Sequence, residues 1–174
     1  MAPAPAAPLP HHPVRLSDPR RQPIAVAILP DAAGRAAVAA HLGVREVRRL
    51  RLDGRLVPEG REGWRIEARL GATVVQDCVV TLAPVVTRIE EPVLIRYLAG
   101  LAEPEGGEAE VPEEDVEPLP ALLDLGGVMV EALSLALPPW PRAPGVALAE
   151  ADEAPEEGGA RPFAGLRDRL EGGG

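Results

Sequence analysis

The chain has 174 residues, and its 18 basic residues, all arginine, are outnumbered by 27 acidic ones, giving a formal net charge of −9. Such a surface repels nucleic-acid phosphates except at a local basic face and attracts basic proteins, so general affinity for nucleic acid is excluded. The 21 Pro and 18 Gly cluster at the ends and in the middle, and only Trp64, Tyr97, Trp140 and Phe163 are aromatic, so the folded part is shorter than the chain and its core is aliphatic.

Charge is unevenly placed. Residues 1–101 hold 14 Arg against 10 acids, whereas residues 102–174 hold 4 Arg against 17 acids. Cys78 stands alone, so no intramolecular disulfide forms and a reducing, cytoplasmic setting is expected. The opening stretch has no apolar run of signal-peptide length, and nothing in the sequence is expected to export or anchor the protein.

Residues 1–22 read as a flexible Pro- and Ala-rich arm. It carries His11 and His12, which point apart in extended chain and have no local Cys, Asp or Glu to complete a metal site. A single α+β domain is expected over 23–146. Pro23–Leu29 predicts a strand, and Asp31 then caps a helix to about Leu42 that Gly43 ends, with Val38 and Leu42 inward and His41 at its exposed end. From Glu46 to Leu98 the apolar period is two. Val47–Val57 is strand-like, Pro58–Gly63 is a turn, and Trp64, Ile66, Ala68 and Leu70 alternate with Arg65, Glu67 and Arg69. Thr73–Leu82 predicts a central strand after a bend near Gly71, and further strand carries Val85, Thr87 and Ile89, then Val93, Ile95 and Tyr97 beyond Pro92. The expected fold is an antiparallel β-meander of four or five strands, an open sheet or a partly closed barrel, packed with one or two helices.

The pattern breaks after Leu98. Acidic residues among Gly and Pro predict a mobile loop over 103–117, including Glu113, Glu114, Asp115 and Glu117. Asp124 then caps a helix through Leu137 that is apolar on almost every side. At roughly 14 residues it is shorter than the ~20 a bilayer needs, so the rest of the protein or a partner has to cover it. Pro138, Pro139, Pro141 and Pro144 end it in a stiff exit. Residues 147–174 read as an acidic linker and a short amphipathic helix, with Phe163, Leu166 and Leu170 on one face.

No phosphate loop or dinucleotide fingerprint is present, and no nucleophile, base and orienting group come together. Cys78 reads as a small buried strand residue, since free cysteine is among the most buried types. Glu131 and Ser134, three apart on the apolar helix, read as a rim facing solvent or an arginine of the sheet. Arg142, held among prolines, is a candidate rigid contact for a carboxylate or other anion. An enzyme using Glu131 or Cys78 is the weakest of the classes considered; no cofactor, metal or small-molecule substrate is expected.

The succession GWRIEARLGATVVQDCVVTLAPVVTRIEEP, an acidic loop, DLGGVMVEALSLALPPWPRAPG and a short PFAGL resembles the YceD family, the large ribosomal RNA subunit accumulation proteins, in its order of parts over about Pro23 to Leu170. Many members carry Cys-x-x-Cys in the strand; here Thr81 follows Cys78 at that spacing. The resemblance implies a bacterial cytoplasmic, non-enzymatic factor needed for accumulation of large-subunit (23S) rRNA. Members are commonly encoded beside a small basic ribosomal protein. The expected partner is therefore a basic large-subunit ribosomal protein, large-subunit rRNA, or both. Arg48, Arg49, Arg51, Arg55, Arg65 and Arg69 are the candidate RNA side. Glu113, Glu114, Asp115, Glu117, Glu131, Arg142, Phe163, Leu166 and Leu170 are the candidate protein side. The alternative is a general protein-interaction or chaperone-like module acting through the acidic loop and C-terminal helix.

Overall fold

A computed structural model of the chain describes residues 8–16, 22–100 and 116–146. The elements run β1 (Pro13–Arg15), β2 (Ile24–Ile28), α1 (Ala32–Leu42), β3 (Glu46–Glu59), β4 (Gly63–Asp77), β5 (Pro84–Leu98), β6 (Val116–Pro118), β7 (Leu122–Asp124) and α2 (Leu125–Ala136). All lie in one compact unit, Met1–Pro144; Gly145–Gly174 is a second, of which residues 145 and 146 are described.

The main sheet has the order β2-β3-β4-β5-β6, is open, and is accompanied by a two-stranded sheet of β1 and β7. The open form decides between the two expected: β2 and β6, at its ends, do not meet. The α+β meander is as expected through β5, with every pair from β2 to β5 antiparallel. β6 departs from it by running parallel to β5 at Arg96–Leu98. A parallel return needs a long connection, and the residues between Leu98 and Val116 supply the length. Glu117, expected in the acidic loop, therefore stands in a strand. The rest of that loop, with Glu113, Glu114 and Asp115, lies outside the described residues, as do the linker and C-terminal segment with Phe163, Leu166 and Leu170.

α1 forms as its caps dictate. Asp31 accepts from Gly34 N at 2.8 Å, and Gly43, at φ 67°, donates its N–H to the carbonyls of Ala39 and Ala40. Elsewhere the strands differ from their expected bounds for physical reasons. Pro58 and Glu59 remain in β3, because the tight turn needs only Gly60, at φ 55°, and two further residues before Gly63. β4 stops at Asp77 instead of Leu82, since Cys78 N donates to Ala83 O at 2.8 Å and Leu82 N to Cys78 O at 2.9 Å, closing a turn with Leu82 at φ 59°. Cys78 is thus buried in a turn rather than in a strand.

β4 runs through Gly71 as one strand of 15 residues. The irregularity lies opposite, in β3, where the register shifts between Arg48 and Arg51. Arg49 occupies this bulge at φ 51°. The extra residue resets the alternation, so that Val47 before it and Leu50 and Leu52 after it all face the core.

That core is aliphatic except for Trp64 and Tyr97, which face each other across β4 and β5, each about 1% exposed. α2 closes it by inserting Leu125, Met129 and Leu133, which are fully buried. The helix ends at Leu137, whose ψ of 132° is the extended geometry that a following proline imposes.

Part of the segment expected as a flexible arm is anchored here. Pro13–Arg15 pairs with β7, Leu16 enters the core, and the Trp64 indole N–H donates to Leu16 O at 3.2 Å. Asp124 ties this segment to α2: its carboxylate caps the helix at Gly126 N (3.0 Å), accepts from His12 N (2.7 Å) and lies 2.8 Å from His11 Nδ1. Gly126 permits the approach, since a Cβ there would stand 2.1 Å from Pro10 O.

Burial works to raise the Asp124 carboxyl, but the hydrogen bonds from His12, His11 and Gly126 outweigh it and hold the group below its ordinary value. A depressed carboxylate contributes stability that is fully present above the unfolded value, near 4, and is lost as pH falls through the folded value. Asp124→Ala is expected to lower stability at pH 7 by about 1–2 kcal/mol, the usual loss of an N-cap. Asp124→Asn should keep much of the neutral-pH stability while flattening its acid limb. Urea denaturation at pH 7 and pH 3.5 measures both.

Candidate functional site

The arginines singled out in the sequence stand together on the outer face of β3, β4 and β5, opposite the core, but most meet a carboxylate. Arg55 and Arg65 both reach Glu67, the former at 2.7 Å. Arg51 reaches Glu90 at 2.7 Å, and Arg88 reaches the same carboxylate at 3.1 Å. Arg48 pairs with Glu46, and Arg96 with Glu59 at 3.0 Å. The hydrogen bond from Arg55 to Glu67, and those from Arg51 and Arg88 to Glu90, hold both carboxyls below their usual range. The face is a ladder of alternating charge.

Gly71 explains one rung. It sits between Arg51 and Glu90 in register, and with no side chain it lets the guanidinium pass across β4 to its partner. A Cβ at Gly71 would stand 2.8 Å from that guanidinium. The glycine opens a gap in the outer face.

Arg49 and Arg69 make no ion pair with a carboxylate among the described residues. Arg69 stands opposite Asp53 in the β3–β4 register. Arg49, thrown outward by the bulge, borders two adjoining clefts. One, about 670 Å³ between α1 and the start of β3, is also lined by Arg35, Arg45 and Arg48, with Glu46 its one acid. The second, about 420 Å³, adds Arg51 and Arg88 with Glu90. Arg35 donates to Pro30 O at 2.7 Å, and Arg45 is engaged by Asp77. Arg35, Arg45 and Arg88 escaped the sequence reading, because Arg35 lies on the helix and only the tertiary fold brings it to the bulge.

Next to Arg45, which reaches Asp77 and Leu82 O, the proline-rich exit from α2 is strapped to the turn after β4. Gln76 Nε2 donates to Pro138 O at 3.1 Å and Val79 N to Pro141 O at 2.9 Å. Ala143 N donates to Cys78 Sγ at 3.4 Å. Hydrogen bonds from the Thr81 side chain and then from the amides of Ala143, Val80 and Thr81 pull the Cys78 thiol down to about 6, against the opposing effect of burial. Cys78 therefore acts as an acceptor that gathers backbone donors. Arg142, within the strapped segment, is exposed and held in place by its neighbours. Among the described residues no three His, Cys, Asp or Glu side chains group as metal ligands.

A family model described as large ribosomal RNA subunit accumulation protein YceD matches residues 66–168. The chain belongs to the YceD family. The match begins within β4, so it includes Cys78, β5, β6, β7, α2 and the strapped exit, while α1 and β3 precede it. No curated relative and no solved structure matches the chain. The family description is that of an accumulation factor for large ribosomal RNA, which places this YceD protein in ribosome biogenesis. No helix among the described residues is long and apolar enough to cross a membrane.

Within the matched part of this YceD protein, Glu131 is exposed on α2, and it shares a groove with Glu117 of β6 and Glu91 of β5. Of the two settings expected for it, solvent fits: Glu131 is exposed, and among the described residues the groove lining contains no basic side chain. His11 and His12 do have an acidic neighbour, Asp124, which is remote in sequence.

The strap yields a test. Cys78→Ala removes the acceptor for Ala143 N–H and should lower the denaturation midpoint, whereas Cys78→Ser, which keeps an acceptor, should lower it less. Equal loss in both variants would mean that sulfur volume, not hydrogen bonding, matters at this turn.

Proposed function

We propose that the protein is a non-enzymatic assembly factor that sustains accumulation of large-subunit (23S) ribosomal RNA in the cytoplasm by binding precursor rRNA, a basic large-subunit ribosomal protein, or both. The observation that carries the role is the YceD match over residues 66–168. The division of charge supports the manner of binding: arginines gather beside α1 and the β3 bulge, and among the described residues the charged groups lining the groove between α2 and β5 are all acids.

On the RNA side, Arg49 and Arg35 are the strongest candidates, since neither is occupied by a carboxylate, with Arg48 and Arg45 beside them. Arg55, Arg65 and Arg51 would have to exchange a carboxylate for a phosphate, at little net gain. With few aromatics on this face to stack bases, phosphate contact is the expected mode, positioning the factor without reading sequence.

Depletion of the protein should lower large-subunit rRNA relative to small-subunit rRNA, measured on total RNA from growing cells. Unaltered ratios would remove the reading. The variant Arg35→Gln/Arg48→Gln/Arg49→Gln should bind a precursor-rRNA fragment roughly tenfold or more weakly and with a shallower salt dependence, as expected when phosphate contacts are lost. Arg55→Gln/Arg65→Gln should change binding much less.

A further inference from the structure

The groove between α2 and β5 has about 660 Å³ of space and an unusual lining. Val128 and Leu135 of α2 and Ile95 of β5 provide apolar surface, and Leu135 is 82% exposed. Glu91, Glu117 and Glu131 are its charged residues, all of one sign. Beneath them the buried Tyr97 hydroxyl has no hydrogen-bond partner among the described residues, and burial, with Glu117 and Glu131 nearby, pushes it well above its ordinary value.

The backbone beside the groove is also available. β6 covers β5 only at Arg96–Leu98, so among the described residues no strand pairs with the outer edge of β5 from Pro84 to Ile95. An unpaired edge is a template for an added strand, and Pro92 limits indiscriminate pairing by removing one donor. We infer that this groove receives an extended segment of another protein rich in lysine or arginine, seating its apolar side chains on Ile95 and Leu135 and its cations against Glu91 and Glu131. Charge selects a cationic occupant. The chain's own residues 103–115 carry seven acids and no base, so they share the sign of the rim and are repelled by it. A second copy of a chain with net charge −9 meets the same repulsion. The inference names the surface for the protein arm of the proposed assembly role and rests on that role for the partner's origin, but not for the binding itself.

The test is fluorescence anisotropy of the full chain with a labelled twelve-residue peptide of alternating lysine and valine, compared with its glutamate–valine counterpart. The lysine peptide should bind and weaken as salt rises. Both Glu91→Gln/Glu131→Gln and Leu135→Ser, changes at exposed positions, should reduce affinity tenfold or more while leaving the thermal unfolding curve in place. Equal binding of the glutamate peptide overturns the inference, as does full affinity in these variants, whose residues 103–115 are intact. So does a chain that sediments as a dimer dissociated by Leu135→Ser, which would assign the groove to a second copy. Peptide binding is read in solution and rRNA accumulation in cells: absent binding sinks the groove and leaves the assembly role, and unchanged rRNA on depletion sinks the role and leaves the groove.

Discussion

The Asp124 carboxylate is the constraint on which the arrangement of this molecule depends. It stands where β7 becomes α2 and serves three donors from two distant parts of the chain. Without it, the N–H groups of the first turn of α2 and of His12 would lose the side-chain acceptor they share. With it, the start of α2 is fixed, so Leu125, Met129 and Leu133 enter the core in register and the groove face of the same helix is presented outward. A cap, a strand pairing and the placement of a candidate binding surface thus share one side chain.

Local chemistry made much of this legible beforehand. The capping of α1 by Asp31 and Gly43, the helix after Asp124 and the alternation of Trp64, Ile66 and Leu70 are short-range signals, and each acts within a few residues. What the sequence concealed was long-range. The bulge at Arg49 looks like a break in alternation, Gly71 looks like a bend, and the pairing of Pro13–Arg15 with Leu122–Asp124 has no local signature. In each case the reason lies on a neighbouring strand: a shifted register, a guanidinium in transit, an acceptor more than a hundred residues away.

The candidate sites divide the same way. That arginines cluster on one face followed from period-two spacing, but their neutralisation by Glu67 and Glu90 needed the cross-strand register, as did the isolation of Arg49. The family match covers the acid-lined groove and the strapped exit but not α1 and β3, where the least neutralised arginines lie. The portion this protein shares with its family therefore contains the acidic side of its surface, and the arginine clefts belong largely to the part of the chain that precedes the match.

The two-stranded sheet has a kinetic meaning distinct from its role in the fold. β3, β4 and β5 are joined by short turns, so their pairing closes small loops and can proceed early, whereas β1 meets β7 across a separation of 113 residues between His11 and Asp124. Closing that long loop costs more chain entropy than closing the short turns of the meander. Parting of β1 from β7 would bare the start of α2 and also uncover Leu16 and the indole N–H of Trp64, so this seam couples the N-terminal segment to both the helix and β4.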